Sequence, residues 1–217
     1  ISDESGEDEV YVMRPDGSEK TQLTKNAESY RYELKWSPDS KYLLHSDKTL
    51  SLYIIDIKNK NVKTIARSKA WEIRDFHWSS DGKYVAYTNF GEDFMTYIDV
   101  YSIETGETYT VTDRFFNSHS PEFSEDGKYL FFVSDRTFNP GINRVEWNFY
   151  YTSMSKIYGI TLEKDTESPF AFEEVTVEVK KENKDEKSDK KKDEKKEKKE
   201  IKIDFENIKS RIFELPV

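Results

Sequence analysis

Trp36-Ser37-Pro38-Asp39-Ser40-Lys41-Tyr42-Leu43-Leu44 recurs as Trp78-Ser79-Ser80-Asp81-Gly82-Lys83-Tyr84-Val85-Ala86, and again as Phe123-Ser124-Glu125-Asp126-Gly127-Lys128-Tyr129-Leu130-Phe131. The offsets are 42 and 45 residues. In each copy an Asp-Gly or Asp-Ser pair followed by Lys reverses the chain between two strands, since Gly tolerates the positive φ that tight hairpins need. Self-similarity at such a period marks stacked supersecondary units, each too small to bury an apolar face alone.

A second signature lies between the copies, where a Tyr-centred strand leads through a polar turn into a Thr-containing strand. Glu9-Val10-Tyr11-Val12-Met13 turns at Asp16-Gly17 into Thr21-Gln22-Leu23-Thr24. Leu52-Tyr53-Ile54-Ile55 turns near Asn59-Lys60 into Val62-Lys63-Thr64-Ile65-Ala66, and Asp99-Val100-Tyr101 turns at Thr105-Gly106 into Thr108-Tyr109-Thr110-Val111-Thr112. Each unit reads as four short strands, which is the sequence form of a propeller blade. The fold class is therefore all-β, with four-stranded antiparallel β-propeller blades in an incomplete ring. An aromatic residue before each repeat turn is expected to pack between neighbouring blades, giving a core that is a stack rather than a centre.

The phase of the repeat divides the chain into a half blade at 1–30, whole blades at 31–72 and 73–117, and a modified blade at 118–179. Ser2-Asp3 aligns with Ser46-Asp47 and Ser134-Asp135, so the chain is expected to open halfway through a blade and to need further blades for a ring. Within the modified blade, residues 137–155 interrupt the pattern. They hold Phe138, Trp147, Phe149, Tyr150 and Tyr151 and begin with Asn139-Pro140-Gly141. An insert so rich in aromatics is either tucked against a blade, the commoner outcome, or exposed to bind something.

Val175-Thr176-Val177-Glu178-Val179 reads as one more alternating segment and runs into a charged stretch at 180–200. That stretch holds eleven Lys and eight Asp or Glu and has no apolar face at any period, so a solvated low-complexity loop is expected. Residues 201–217 return to strand-like alternation and read as the start of a next blade.

The charged stretch carries net +3, and the rest of the chain holds 23 basic against 35 acidic residues. An acidic surface repels phosphates, which argues against a nucleic-acid partner. The interleaved acids argue the same for the lysine stretch. Cysteine is absent, which excludes disulfides and thiolate metal sites. No apolar run is long enough for a membrane-spanning helix, so no membrane partner is expected.

No catalytic, cofactor-binding or metal-ligating residue is assigned. His77 occupies the slot that holds Lys35 and Glu122 in the sister repeats, so its position does not demand histidine. His45 ends a repeat strand, and His119 sits in a connection. Ser153-Met154-Ser155-Lys156 matches a Ser-x-x-Lys pattern short enough to arise by chance, without the partner motifs of Ser-Lys hydrolases. Asp3, Glu4, Glu7, Asp8 and Glu9 lack the alternate-residue register of a calcium loop and read as a solvated strand end.

The Trp-Ser-Pro-Asp-Gly-Lys type of repeat resembles the module of TolB, of prolyl oligopeptidase relatives and of tricorn proteases. Leu162 to Phe170, Ile203 to Ile208 and Arg211 to Val217 resemble more particularly the propeller region of bacterial tricorn-like serine peptidases. The resemblance implies a non-catalytic propeller that admits or sorts oligopeptides for a PDZ-like and a serine peptidase domain elsewhere in the parent polypeptide. It also implies a homo-oligomeric parent, cytoplasmic unless an upstream signal peptide sends it to the periplasm. None of that family's catalytic motifs has a counterpart in this sequence. The alternative is a TolB-like scaffold or protein-binding propeller with no attached enzyme.

Overall fold

The computed structural model of the chain describes residues 1–170 and 200–216. The expected strand at 175–179 and the charged stretch, apart from Glu200, lie outside the described residues.

Strands β1 (Tyr11–Val12) and β2 (Thr21–Gln22) form a two-stranded sheet. Next comes a four-stranded antiparallel sheet of β3 (Arg31–Trp36), β4 (Tyr42–Asp47), β5 (Ser51–Asp56) and β6 (Asn61–Arg67), in sequence order. The following sheet repeats the plan with β7 (Phe76–Trp78), β8 (Tyr84–Phe90), β9 (Thr96–Ser102) and β10 (Thr108–Thr110). A third begins with β11 (Ser118–Phe123) and β12 (Tyr129–Ser134). Then β13 (Pro140–Ile142) and β14 (Phe149–Tyr151) pair only with each other, after which β15 (Lys156–Thr161) and β16 (Ile212–Glu214) complete the third sheet. Successive meandering sheets of this kind are propeller blades.

The repeat turns show why the motif reads as it does. In all three copies the Ser hydroxyl (Ser37, Ser79, Ser124) donates to the Asp carboxylate two residues on at 2.7 Å and accepts from the Tyr amide five residues on at 2.9 Å. The same Asp accepts the Lys amide at 3.1 Å. The residue before Lys has positive φ each time: Ser40 at 59°, Gly82 at 75° and Gly127 at 71°. Ser and Asp thus satisfy the amides that the turn leaves unpaired, while Gly or Ser takes the left-handed corner.

Three apolar clusters lie between sheets, not at one centre. Val10 and Leu23 meet Leu43 and Ile55; Leu44, Leu52 and Ile54 meet Phe76, Val85 and Tyr87; Ile98 and Val100 meet Leu130, Phe132 and Ile160. Of the repeat aromatics, Phe123 is buried and Trp78 stacks on Tyr42 of the preceding sheet, with centroids 6.4 Å apart. Trp36 differs from the expectation, being half exposed, because the unit before it contributes only the short β1 and β2 and sets no ring against it.

The last segment corrects the reading of 201–217 as the start of another blade. Ile212–Glu214 pairs with β15 as the outer strand of the third sheet, with Gly159 opposite Phe213. The ring of Phe213 lies so close over Gly159 that a Cβ there would sit 2.4 Å from its Cζ. Residues 200–205 belong to no sheet. They form a strap across the second and third sheets, with Ile201 buried, the Ile201 amide donating to Asp81 at 2.8 Å, and Phe205 stacked flat on Tyr109 at 3.7 Å.

Antiparallel order puts each Ser-Asp-Lys turn at one end of its four-stranded sheet, and the strap fastens at that end through Asp81 and Tyr109. The crossovers between sheets and the loops between second and third strands lie at the other. That second end is rich in exposed rings, including Trp71, Phe94, Phe115, Phe116 and the β13–β14 hairpin. The insert at 137–155 is therefore exposed, contrary to the commoner expectation of packing, because its two strands pair with each other and with no strand of a blade.

Candidate functional site

β3, β7 and β11 are the first strands and one edge of the three four-stranded sheets, the edge taken as inner in a propeller, and side-chain contacts join them. The repeat offsets of 42 and 45 put Lys35, His77 and Glu122 at the same slot of these strands. β3 and β11 each carry a bulge just before it, between Arg31 and Leu34 and between His119 and Glu122, a device that re-aims side chains.

The three side chains join into one chain of polar contacts. Lys35 Nζ lies 3.3 Å from His77 Nε2, and His77 Nδ1 lies 2.7 Å from Glu122 Oε2. Lys35 also faces Glu33 at 3.7 Å and sits over the Phe76 ring at 5.2 Å. Burial pushes the His77 pKa down, and the Lys35 charge adds to this against the opposing pull of Glu122, Asp75 and Glu33. His77 is accordingly neutral at pH 7. Its Nε2 accepts from the Lys35 ammonium and its Nδ1–H donates to the Glu122 carboxylate, a tautomer set by its two neighbours. Trp78 Nε1–H donates to the Lys35 carbonyl at 3.3 Å and so ties the two strands at this level.

The ladder offers a cation, an imidazole and a carboxylate along one inner edge. Such a set can hydrogen-bond the backbone or the termini of an extended chain. It has no nucleophile poised against a base, since neither a serine nor a threonine contacts His77 among the described residues.

The remaining candidates fall elsewhere. His45 is buried in a separate network, where Arg31 Nη1 lies 3.3 Å from His45 Nε2 and Arg31 Nη2 lies 3.1 Å from Glu9. Glu9 also accepts from the Ala27 amide at 2.7 Å and from the Thr24 hydroxyl. This corrects the reading of Glu9 as part of a solvated strand end: it is buried because Arg31 neutralises it and three donors satisfy it. His119 contacts Ser120 at 3.0 Å. Ser155 donates to Asp135 at 2.5 Å, and Lys156 pairs with Glu214, so Lys156 is turned to a carboxylate instead of the serines. Among the described residues no group of three His, Asp or Glu side chains is placed to hold a metal ion, and no helix is long and apolar enough to cross a membrane.

Sequence reasoning passed over the ladder by treating His77 alone. The observation used to set it aside, that Lys35 and Glu122 fill the same slot, is the signal that would have found it. Equivalent positions on adjacent inner strands are neighbours in space.

The family described as the Tricorn protease second beta propeller domain matches residues 1–217. A tricorn-like protease C-terminal subunit of Sulfurisphaera tokodaii is 29% identical over 99% of this chain and 25% of its own length. A tricorn protease homolog of Saccharolobus solfataricus is 31% identical over 72% of this chain and 14% of its own. The chain thus spans a quarter or less of the relatives it matches. The crystal structure of the tricorn protease superposes with a TM-score of 0.72 at 19% identity, over 92% of this chain and 18% of that one.

Proposed function

Because the chain belongs to the tricorn protease second β-propeller family, we propose that it is a non-catalytic propeller segment of a tricorn-like serine peptidase, and that its inner-strand ladder admits or sorts oligopeptides. On this reading the peptidase and PDZ-like domains lie elsewhere in a cytoplasmic, homo-oligomeric polypeptide. The observation that carries the role is the Lys35–His77–Glu122 ladder. It puts mixed charge and exchangeable hydrogen bonds on the inner edge of three neighbouring blades, where a passing peptide finds partners for its backbone and for either terminus.

Binding at a site remote from the chemistry alters KM or the choice among substrates and leaves the chemical step alone. In the full polypeptide, Lys35→Ala and Glu122→Ala are expected to shift KM for oligopeptides by about three- to tenfold in a manner that depends on peptide charge, with kcat nearly unchanged. Steady-state kinetics on a set of acidic, neutral and basic peptides checks this. Identical specificity in both variants would remove the sorting role, and peptide turnover by the isolated chain would remove its non-catalytic character.

A further inference from the structure

The β13–β14 hairpin presents an apolar face that nothing among the described residues covers. Side chains alternate along a strand, and the register pairs Pro140 with Tyr151 and Ile142 with Phe149. These four share one face, and Phe138 extends it, its ring 5.5 Å from that of Tyr151. Phe138, Ile142 and Phe149 are 70%, 57% and 67% exposed. On the opposite face the Tyr150 ring covers Gly141, where a Cβ would lie 2.3 Å from its Cζ. That face offers one half-exposed ring, whereas the other carries a run of five apolar side chains.

The phase of the ladder settles which backbone groups are free. Asn143 N donates to Asn148 O at 2.9 Å and Thr137 N to Met154 O at 3.3 Å. With this alternation the amides and carbonyls of Gly141 and Tyr150 face each other, while those of Phe149 and Tyr151 point outward from β14. The outer edge of β13 has one donor fewer, because Pro140 has no N–H. The edge of β14 is thus an open template for another strand, bordered by the apolar face.

Charge narrows the partner. Arg144 and Glu146 at the hairpin tip cancel, and the whole chain has net charge -9, so an acidic partner is repelled and a neutral or basic one is not. We infer that the hairpin is a capture site for extended, apolar, non-acidic peptide segments, which add as a strand to the edge of β14 and lay alternate side chains against Phe149 and Tyr151. This rests on the proposed handling of peptides, and it names a substrate class and a first point of contact separate from the inner ladder.

The test uses the full polypeptide, its peptidase blocked with a serine-reactive fluorophosphonate, and end-capped fluorescent peptides of about ten residues that alternate Val and Thr or Asp and Thr. Fluorescence anisotropy is expected to show binding of the Val-Thr peptide and a preference for it over the Asp-Thr peptide of at least about tenfold. Methylating alternate backbone nitrogens of the Val-Thr peptide, or introducing Phe149→Ser with Tyr151→Ser at these exposed positions, is expected to weaken binding by about tenfold or more. Phe115→Ser, at an exposed ring outside both the hairpin and the ladder, should leave it unchanged. Equal binding by the double variant, or equal binding of the acidic peptide, would overturn the inference. So would self-association that the double variant abolishes while peptide binding is absent, since the face would then belong to a second copy. A polypeptide that binds the Val-Thr peptide at the hairpin yet cleaves no peptide when uninhibited would instead sink the proposed function and leave the capture site standing.

Discussion

His45 is fully buried between Arg31 and the Tyr53 ring, and burial first, then the Arg31 charge, pull its pKa down to about 4 from 6.5. The unfolded chain therefore binds the proton first on acidification. Stability is full above pH 6.5 and falls as the pH drops through this window to 4, by about 3 kcal/mol. His45→Phe keeps a ring against Tyr53 and cannot titrate, so denaturant titrations between those pH values should show a shallower slope, with the share that His77 contributes remaining. Asp39 acts in a lower window. Its partial burial acts to raise the pKa, but the Ser37 hydroxyl and Lys41 outweigh this and hold it at about 2 against 3.8. The stability it contributes is present above 3.8 and is lost as the pH falls towards 2. Asp39→Asn should make that lower limb shallower, with Asp126 and the other carboxylates held below their ordinary range contributing the rest, and leave the His45 window intact. Gly159 gives a prediction of another kind. Gly159→Ala must displace the Phe213 ring from Tyr129 and Phe170, which it touches edge-on, and is expected to cost about 1–3 kcal/mol in equilibrium unfolding.

At the scale of elements, the strap at 200–205 and the hairpin mark where sequence reading reached its limit. Ile201-Lys202-Ile203-Asp204-Phe205 alternates like a strand, and its apolar members do face the core cluster between the second and third sheets. Alternation reports a two-sided environment and carries no information about a hydrogen-bonded neighbour, so a strap and a strand read alike. Phe205 fastens this strap through Tyr109 and Tyr84. Phe205→Ala should cost about 2 kcal/mol and raise amide exchange in 200–208 before the sheets are affected, as hydrogen-exchange mass spectrometry can follow. The hairpin aromatics misled in the opposite sense. Ring-rich inserts are usually buried, and no pattern within 137–155 distinguishes a hairpin that pairs with itself from a loop that packs on a blade. The repeat turns were fully legible, because their Ser, Asp and Gly act within five residues of one another.

For the molecule as a whole, the sheet plan followed from one period because that period is also the spacing of the interfaces: each apolar cluster draws on two successive units. Damage should stay local to an interface. Leu43→Ala and Leu130→Ala, in different clusters, should each cost about 2–5 kcal/mol and sum to within about 0.5 kcal/mol, whereas Leu44→Ala with Phe76→Ala, in one cluster, should not sum. Double-mutant cycles measure this. The polar ladder escaped because it is a relation among three units, and a repeat scan looks for sameness where the ladder depends on difference. That difference also numbers the blades. Their turns are bonded alike, but a copy of the second unit in the third place would meet His77 with another imidazole, and a copy of the first in the second would set two ammonium groups against each other. Duplication can lengthen such a chain, yet the units are no longer interchangeable parts, and their order is written in a single side chain apiece.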